Sequence, residues 1–279
     1  MFIDQIKTTI LLAGLTFLLL VFGFAVGGTS GLTIALILAA TMNILSYWYS
    51  DKLVLKMHKA KLAEHKMFEE LHDMVKDIST RASIKKPKIY IINSSSPNAF
   101  ATGRNDKKAS IAVTTGLLEK LDRRELKGVL AHEIAHIKNK DLLISTVSVI
   151  LASAIAYLAV MARWAMIFGN SRDEEGSILE IIVLSIVAPI AASILRLAIS
   201  RSREYVADET GAKLIKDPEA LADALVKIET SPKTNIGNKA AASLFIINPF
   251  SGGKFINLLS THPATSDRVK RLRKLSFTL

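Results

Sequence analysis

Uninterrupted apolar stretches divide the chain. Residues 8–27 and 31–50 contain no charged residue, and each is about long enough to cross the hydrocarbon core of a bilayer. A third uncharged run covers residues 142–162, and a fourth, 181–195, is shorter and contains Pro189. This pattern predicts four transmembrane helices, arranged as an N-terminal hairpin and a second hairpin later in the chain.

Two of these runs have an alternative interpretation. A secretory signal peptide is the alternative for residues 8–27. Its apolar part is longer than the usual signal core, however, and the second run follows at once, which favours an uncleaved hairpin. A buried core helix is the alternative for residues 181–195, because that run is short for a membrane span.

The remaining sequence predicts a mainly α-helical domain with a small β-sheet. Residues 51–79 place apolar residues among many charged ones, which predicts an amphipathic helix continuing from the second membrane run. The β-branched runs "PKIYIIN" (87–93) and "ASIAVTTG" (109–116) are bounded by turn-forming residues and predict two strands. Residues 94–108 predict a loop, in which Phe100 either has a functional role or covers the core.

The clearest soluble helix is predicted over residues 122–139. Asp122 suits the N-cap, and Glu125 stands three residues later, which together form the pattern of a capping box. Apolar residues follow at helical spacing. A further helix is predicted to begin at Asp217, an N-cap residue followed by proline, and another in the basic segment "DRVKRLRKL" (267–275).

The net charge of +11 is distributed around the apolar runs. Lysines follow the second run and precede the third, arginines follow the fourth, and the connection between the third and fourth carries more acid than base. Basic residues accumulate on the cytoplasmic side of membrane helices, so both termini are predicted to be cytoplasmic. The excess charge also indicates attraction to anionic lipid, and no nucleic-acid-binding signature accompanies it.

This orientation divides the chain into four successive parts. Residues 1–50 form an N-terminal transmembrane hairpin, and 51–141 the first part of a cytoplasmic domain. Residues 142–199 form a second transmembrane hairpin, and 200–279 the second part of the cytoplasmic domain.

The candidate chemistry lies in "HEIAH" on the predicted helix. The chain has no cysteine, which excludes disulfides, thiolate nucleophiles and zinc sites built on cysteine. His132 and His136 are four residues apart, so both imidazoles lie on one helix face and can share a tetrahedral ion. Glu133 beside them can take a proton from water and deliver it to a leaving amine. This motif on a helix is typical of zinc proteases. The alternative is a pair of partly exposed histidines hydrogen-bonded to backbone or water.

A catalytic zinc needs a third protein ligand and an open fourth position. Glu204 and Asp208 are also four residues apart on one predicted helix face. Glu204 completes a two-histidine, one-glutamate set, and Asp208 can accept the second ring N–H of a ligand histidine. A solvated charged helix is the alternative. His136 and Glu204 each lie about 9–12 Å from a neighbouring membrane run if the chain between is helical, so both reach a similar depth.

Together these motifs resemble a known family, the HtpX-like membrane zinc metalloproteases, which are relatives of the CAAX prenyl proteases. The resemblance covers nearly the whole chain. Besides the apolar runs it includes "SPNAFATG" (96–103), "HEIAHIKNKD" (132–141), "SRSREYVADETGA" (200–212) and "THPATSDRVKRL" (261–272). One departure is the single proline in "THPATSDR", where many members have a second, and it affects only the local turn.

The resemblance implies a zincin-like (gluzincin) metalloprotease domain that binds one Zn2+ per subunit. Its ligands would be His132, His136 and Glu204, with Glu133 as the general base. Asp208 and Asn139 are the candidates for hydrogen bonds that support the ligands.

The resemblance also assigns residues to substrate binding. Asn98, Ala99 and Phe100 resemble a strand edge on which the substrate backbone lies. His262 and Arg268 would lie near the cleft, where a cation or imidazole can stabilise an oxyanion.

The function implied by the resemblance is a quality-control endopeptidase of the stress response. Such an enzyme would sit as a multi-pass protein in the plasma (inner) membrane of a prokaryote and cut misfolded or damaged membrane proteins on the cytoplasmic side. A maturation or prenyl-type protease of narrow specificity would use the same centre, and a non-catalytic scaffold stabilised by zinc is the alternative from another class. An intramembrane protease is disfavoured, because "IKNKD" follows the motif. The oligomeric state stays open.

Overall fold

The computed structural model describes residues 2–142, 146–147, 201–231, 246 and 263–275. The predicted third and fourth membrane runs, 142–162 and 181–195, lie almost entirely outside these residues. The two membrane helices expected there therefore remain predictions from the sequence.

The first helix, α1 (Phe2–Met57), is interrupted at two glycines. Gly27 and Gly28 have non-helical backbone angles, and Gly28 has φ +55°, a conformation that glycine adopts without steric cost. The two halves pack against each other beyond this break, because Asn43 Nδ2 donates to Thr16 Oγ1 at 2.8 Å. The chain thus reverses direction at the glycine pair.

The apolar surface of α1 is largely exposed. Within the described residues one helical segment, Gly27–Tyr49, is long and apolar enough to cross a membrane, and Leu12–Val21 is apolar but shorter. Large apolar side chains are exposed along α1, among them Phe17, Phe24, Ile34, Ile37 and Ile44. A continuous apolar surface of this kind suits contact with lipid.

The sheet contains four strands in the described part of the chain: β1 (Lys61–Leu62), β2 (Lys88–Ile92), β3 (Ala99–Gly103) and β4 (Ala109–Thr114). Their spatial order is β1-β2-β4-β3, with β2 parallel to β4 and the other two pairs antiparallel. The predictions for β2 and β4 are confirmed. The prediction of a loop over residues 94–108 is wrong where β3 forms, because pairing with β4 stabilises a strand of small residues with weak strand propensity.

The prediction of one amphipathic helix over residues 51–79 is wrong in its middle. Helix α1 ends at Met57, β1 follows, and α2 begins only at Glu69 and ends at Ala82. Lys59 has a positive φ, and Ala63 N donates to Ile89 O as the chain joins the sheet edge. Tertiary pairing therefore overrides the helix-forming composition of this segment.

Five further α-helices and one short 3-10 helix (Asp106–Lys108) complete the described fold. The α-helices are α3 (Thr115–Lys120), α4 (Arg123–Lys138), α5 (Arg201–Ile215), α6 (Pro218–Glu229) and α7 (Thr265–Arg273). The capping box of α4 is confirmed: Asp122 accepts from Glu125 N, and the Glu125 carboxylate accepts from Asp122 N. Asp217 likewise caps α6 by accepting from Ala220 N.

The sheet is covered on both faces. Helices α2 and α4 pack on one face and form the main core with α5, α6 and α7. The end of α1 covers the other face through a small cluster built from Val54, Leu55, Ile92, Phe100 and Ala112. The sheet thus connects the helical hairpin formed by α1 on one side with the helix carrying the HEIAH motif on the other.

Helices α4 and α5 approach closely at Gly211. A Cβ placed on this residue would lie 2.9 Å from Ala131 C and 2.9 Å from His132 N, which is closer than side-chain carbons approach backbone. Glycine at this position therefore sets the distance between the helix with the two histidines and the helix with Glu204.

We expect Gly211→Ala to lower the free energy of unfolding by about 1–3 kcal/mol, because the methyl group must push the two backbones apart. The displacement should also weaken metal binding. Thermal unfolding and zinc content measure the two effects. Gly14→Ala is the matched control, since no atom lies within 4 Å of its added Cβ. A Gly211→Ala protein as stable as wild type would contradict the close contact.

Candidate metal centre

Three side chains from two helices meet at one point. His132 and His136 lie one turn apart on α4, and their Nε2 atoms are 3.2 Å from each other. Glu204, in the first turn of α5, places its Oε2 3.6 Å from His132 Nε2 and its Oε1 3.5 Å from His136 Nε2. One ligand atom from each residue lies within 4.8 Å of the other two. The predicted ligand set is therefore assembled in the fold.

The second nitrogen of each imidazole faces a buried carboxylate. His132 Nδ1 lies 2.9 Å from Asp208 Oδ1, as the spacing of Glu204 and Asp208 predicts. His136 Nδ1 lies 3.2 Å from Asp141 Oδ2. A carboxylate at Nδ1 fixes the proton there and leaves Nε2 as the electron-pair donor, so both histidines present the correct nitrogen to a cation.

Arg268, on α7, supports this arrangement from behind. Its guanidinium forms two bonds to Asp208, from Nε to Oδ2 at 2.9 Å and from Nη2 to Oδ1 at 2.6 Å. Nη1 donates to Ile246 O at 2.9 Å, and Nη2 lies 3.5 Å from His132 Nε2. Arg268 thus lies near the cluster, as predicted, but most of its hydrogen-bonding capacity is used within the protein.

The titration behaviour reflects this dense packing of charge. Burial acts to raise the pKa of Asp208, but Arg268 and His132 hold that pKa at about 2. Burial acts to lower the pKa of His132, yet Asp208 and Glu204 outweigh it and raise the pKa to about 9. The carboxylates therefore create a local field that attracts positive charge at the imidazoles.

The donor set fits a divalent transition metal. Two imidazole nitrogens and one carboxylate oxygen form the three-ligand set of catalytic zinc sites. His132 and Glu204 are buried, and Asp208 orients the ring of His132. A cation at this point competes with protons for the same nitrogens, so metal affinity should fall with decreasing pH.

Glu133 lies between the cluster and the sheet. Its Oε2 accepts a hydrogen bond from Ala101 N, on β3, at 2.7 Å. Burial raises the pKa of Glu133, and the nearby histidines counteract this. A raised pKa brings a carboxylate closer to the range in which it accepts and returns protons efficiently near neutral pH.

The three residues predicted to bind substrate, Asn98, Ala99 and Phe100, do not all point their main-chain groups to the same side of β3. Asn98 O accepts from Thr114 N, which turns the main chain of Asn98 and, by strand alternation, of Phe100 toward β4. The Phe100 side chain is buried against the end of α1 rather than facing the cluster. Ala99 and Ala101 alternate with them, so their main-chain groups face the outer edge of the sheet, as the Ala101–Glu133 bond shows.

Two further predicted residues have different outcomes. Asn139 is the C-cap residue of α4: its backbone N–H donates to Ala135 O at 2.8 Å. Within the described residues, the buried Nδ2 of the Asn139 side chain has no hydrogen-bond partner. His262 lies outside the described residues, so its position near the cleft stays a prediction.

Comparison with known proteins identifies the family. The model of Peptidase family M48 matches residues 65–276, which include every residue of the cluster. The chain belongs to peptidase family M48. The resemblance drawn from the sequence motifs is thereby confirmed, and the protein is a membrane metalloprotease.

Relatives of this M48 peptidase match it along nearly its whole length. It is 49% identical to a "Protease HtpX homolog" of Desulforapulum autotrophicum, over 97% of this chain and 89% of that one. Identity is 48% with a homolog of the same name in Pyrococcus abyssi, over 98% and 96% of the two chains. It is 46% with "Protease HtpX" of Legionella pneumophila, over 98% and 99%.

A solved structure shares the fold of the M48 peptidase. The crystal structure of S. mikatae Ste24p superposes with a TM-score of 0.54 at 19% sequence identity. The match covers 97% of this chain and 66% of that longer chain, so about a third of the Ste24p structure has no counterpart here.

Two residues of the M48 site were not predicted from the sequence. Asp141 stands five residues after His136, beyond the end of α4, and reaches back to it because Asp141 N donates to His136 O in a tight turn. Its position within "HEIAHIKNKD" was the available signal. Ala101 contributes through its main chain, for which no side-chain pattern gives a signal.

Proposed function

We propose that this M48 peptidase is a zinc-dependent endopeptidase that cuts misfolded or damaged membrane proteins at the cytoplasmic face of a prokaryotic plasma membrane. The observation that carries the proposal is the convergence of His132, His136 and Glu204 beside Glu133, directly under a sheet edge. A binding scaffold needs the three ligands, but it has no need of a buried carboxylate next to them. Hydrolysis needs both.

The ligand residues have distinct duties in this proposal. His132, His136 and Glu204 hold one zinc ion, with Asp208 and Asp141 orienting the histidines. Zinc, when bound, supplies a Lewis acid that polarises the scissile carbonyl and makes water more acidic. Arg268 keeps Asp208 ionised and fixed. Asn139 ends the helix that carries both histidines.

Glu133 moves the proton. Its Oε2 is bonded to Ala101 N, so we assign Oε1 as the atom that takes a proton from water and returns it to the leaving amine. The outer edge of β3, at Ala99 and Ala101, would bind the substrate backbone as an added strand. The same edge above the HEIAH helix supports a zincin-like domain.

The membrane arrangement completes the proposal. We assign four transmembrane helices, with residues 51–141 and 200–279 forming one cytoplasmic domain between and after the two hairpins. Lysine and arginine placement supports this orientation, and the same residues favour an anionic lipid surface. No nucleic-acid partner is assigned.

Removal and return of the metal tests the proposal against a zinc-stabilised scaffold. Purified wild-type protein in detergent is treated with a chelator, then supplied with zinc or with magnesium, and mixed with an unfolded membrane protein. We expect cleavage to stop on chelation and to return with zinc alone, while circular dichroism shows that helices persist. A protein that unfolds on chelation, and that cleaves nothing when zinc-loaded, would instead be a scaffold.

Glu204→Gln tests the third ligand. The amide has the size of the carboxylate but no charge, so zinc affinity should fall by more than the roughly 10–100-fold typical of residues that only support ligands. Zinc bound per chain, measured after dialysis against buffered zinc, reports the loss. Glu209→Gln is the matched control, because Glu209 is exposed on the same helix and pairs with Lys213. Equal zinc content in both variants would remove Glu204 from the ligand set.

A further inference from the structure

The β3 strand is attached to α1 at two points. The guanidinium of Arg104, which follows the strand, lies 4.4 Å from the Trp48 ring and 5.7 Å from the Tyr47 ring. At the other end, the Phe100 ring lies 5.2 Å from the His58 ring.

The two attachments fix the direction of the strand. His58 is the first residue after α1 ends, ten residues beyond Trp48, which corresponds to about 15 Å at the helical rise. Phe100 and Arg104 are four residues apart in near-extended chain, about 13 Å. The later residue of the strand meets the earlier residue of the helix, so β3 runs lengthwise along α1 and in the opposite direction.

Gly103 is needed for the second attachment. It has φ +149°, and a Cβ there would lie 2.6 Å from Lys108 O. The end of β3 therefore requires glycine, and Arg104 follows it directly along the strand direction.

The aromatic rings mark the membrane surface. The apolar segment Gly27–Tyr49 ends in Tyr47, Trp48 and Tyr49, whose rings are all exposed, as in the belts found at the membrane–water interface. Ala101 stands three residues before Arg104, about 10 Å from this belt along the strand. Glu133 is bonded to Ala101, so the reacting carboxylate lies at a similar height.

We propose that this geometry makes the enzyme a juxtamembrane protease that measures distance from the bilayer. The proposal rests on the proposed function and names its substrate class. The cut bond lies about three to five residues beyond the point where the substrate chain leaves the membrane. Because β3 runs toward the membrane, a substrate strand added antiparallel to it runs away from the membrane. The membrane segment of the substrate therefore precedes the cut bond.

Two reporter proteins test both parts of the proposal. Each has one transmembrane helix and a disordered tail of identical short repeats, so that every position along the tail offers the same local sequence. The tail follows the helix in one reporter and precedes it in the other. Each is placed with the zinc-loaded enzyme in vesicles of phosphatidylethanolamine and phosphatidylglycerol, and mass spectrometry maps the cuts.

We expect cuts to be confined to the first repeats after the helix, and the reversed reporter to be cut several-fold more slowly. Cuts spread evenly along the tail would overturn the distance, and equal cleavage of both reporters would overturn the direction. A soluble unfolded protein serves as the reference substrate. If the soluble protein is cleaved but the reporters show no positional preference, this proposal alone is refuted. If no substrate is cleaved, the proposed function is refuted as well.

Arg104→Ala tests the attachment itself. Loss of the ring contact should widen the distribution of cut positions from about three residues to about six, while cleavage of the soluble protein continues. Lys107→Ala is the matched control, because Lys107 is an exposed basic residue in the same turn. An unchanged distribution in the Arg104→Ala enzyme would contradict a role for this contact.

Discussion

Glu133→Gln is expected to lower peptide-bond hydrolysis by about 10²- to 10⁴-fold, the range over which general bases act. Glutamine has the same shape, and its amide oxygen can still accept the bond from Ala101 N. The amide cannot take a proton from water, however. The three proposed ligands are untouched, so zinc should stay bound at one ion per chain.

The measurement pairs zinc analysis with cleavage of an unfolded membrane protein in detergent, including cleavage of the enzyme by itself. Glu125→Gln is the matched control: Glu125 is also a buried glutamate of α4, and glutamine can replace it in a capping box. Equal cleavage by the Glu133→Gln enzyme and wild type would refute the assignment of the base. Loss of zinc from the Glu133→Gln enzyme would show that Glu133 acts on the metal instead.

The features predicted well from the sequence are local. The capping box at Asp122 and Glu125 fixes the start of α4, and helical periodicity then places His132 and His136 on one face. The same periodicity relates Glu204 to Asp208 on α5. These relations depend on residues within one helix, where the geometry of 3.6 residues per turn leaves little freedom.

The features missed from the sequence depend on partners far along the chain. Strand β3 exists because β4 pairs with it, and β1 forms in a helix-like sequence because β2 accepts it. The sequence leaves Phe100 with two interpretations, a functional role or a core role, and its burial against α1 follows from that pairing. No local pattern distinguishes the outcomes, because the free energy of strand formation comes from neighbours.

The sheet connects two requirements of a membrane protease. One face packs against α4, which carries two of the proposed metal ligands, and the other packs against the end of α1. A strand held from both faces has a fixed position relative to both. In the proposal, β3 (Ala99–Gly103) together with Arg104 therefore sets both the position of the reacting carboxylate and its distance from the membrane.

Arg268→Met should strongly destabilise the described core. The guanidinium is 1% exposed and forms two bonds to the buried Asp208, so its removal leaves a carboxylate with only His132 as a close cationic partner. Removing one partner of a buried pair costs about 3–5 kcal/mol of unfolding free energy. The thermal unfolding midpoint should fall by on the order of 10 °C.

The control variant Arg273→Met distinguishes the loss of a buried charge pair from the loss of an arginine charge at the surface. Arg273 lies on the same helix, is half exposed and pairs with Glu219, so its loss should change the unfolding free energy by no more than about 1 kcal/mol. A second substitution that removes the stranded charge, Asp208→Asn in the Arg268→Met background, should restore part of the stability. It should not restore zinc affinity, because His132 then lacks the carboxylate that orients it. Equal stability of the Arg268→Met and Arg273→Met proteins would mean that another group neutralises Asp208 in the fold. The Arg268–Asp208 pair would then not be what stabilises the carboxylate beside His132.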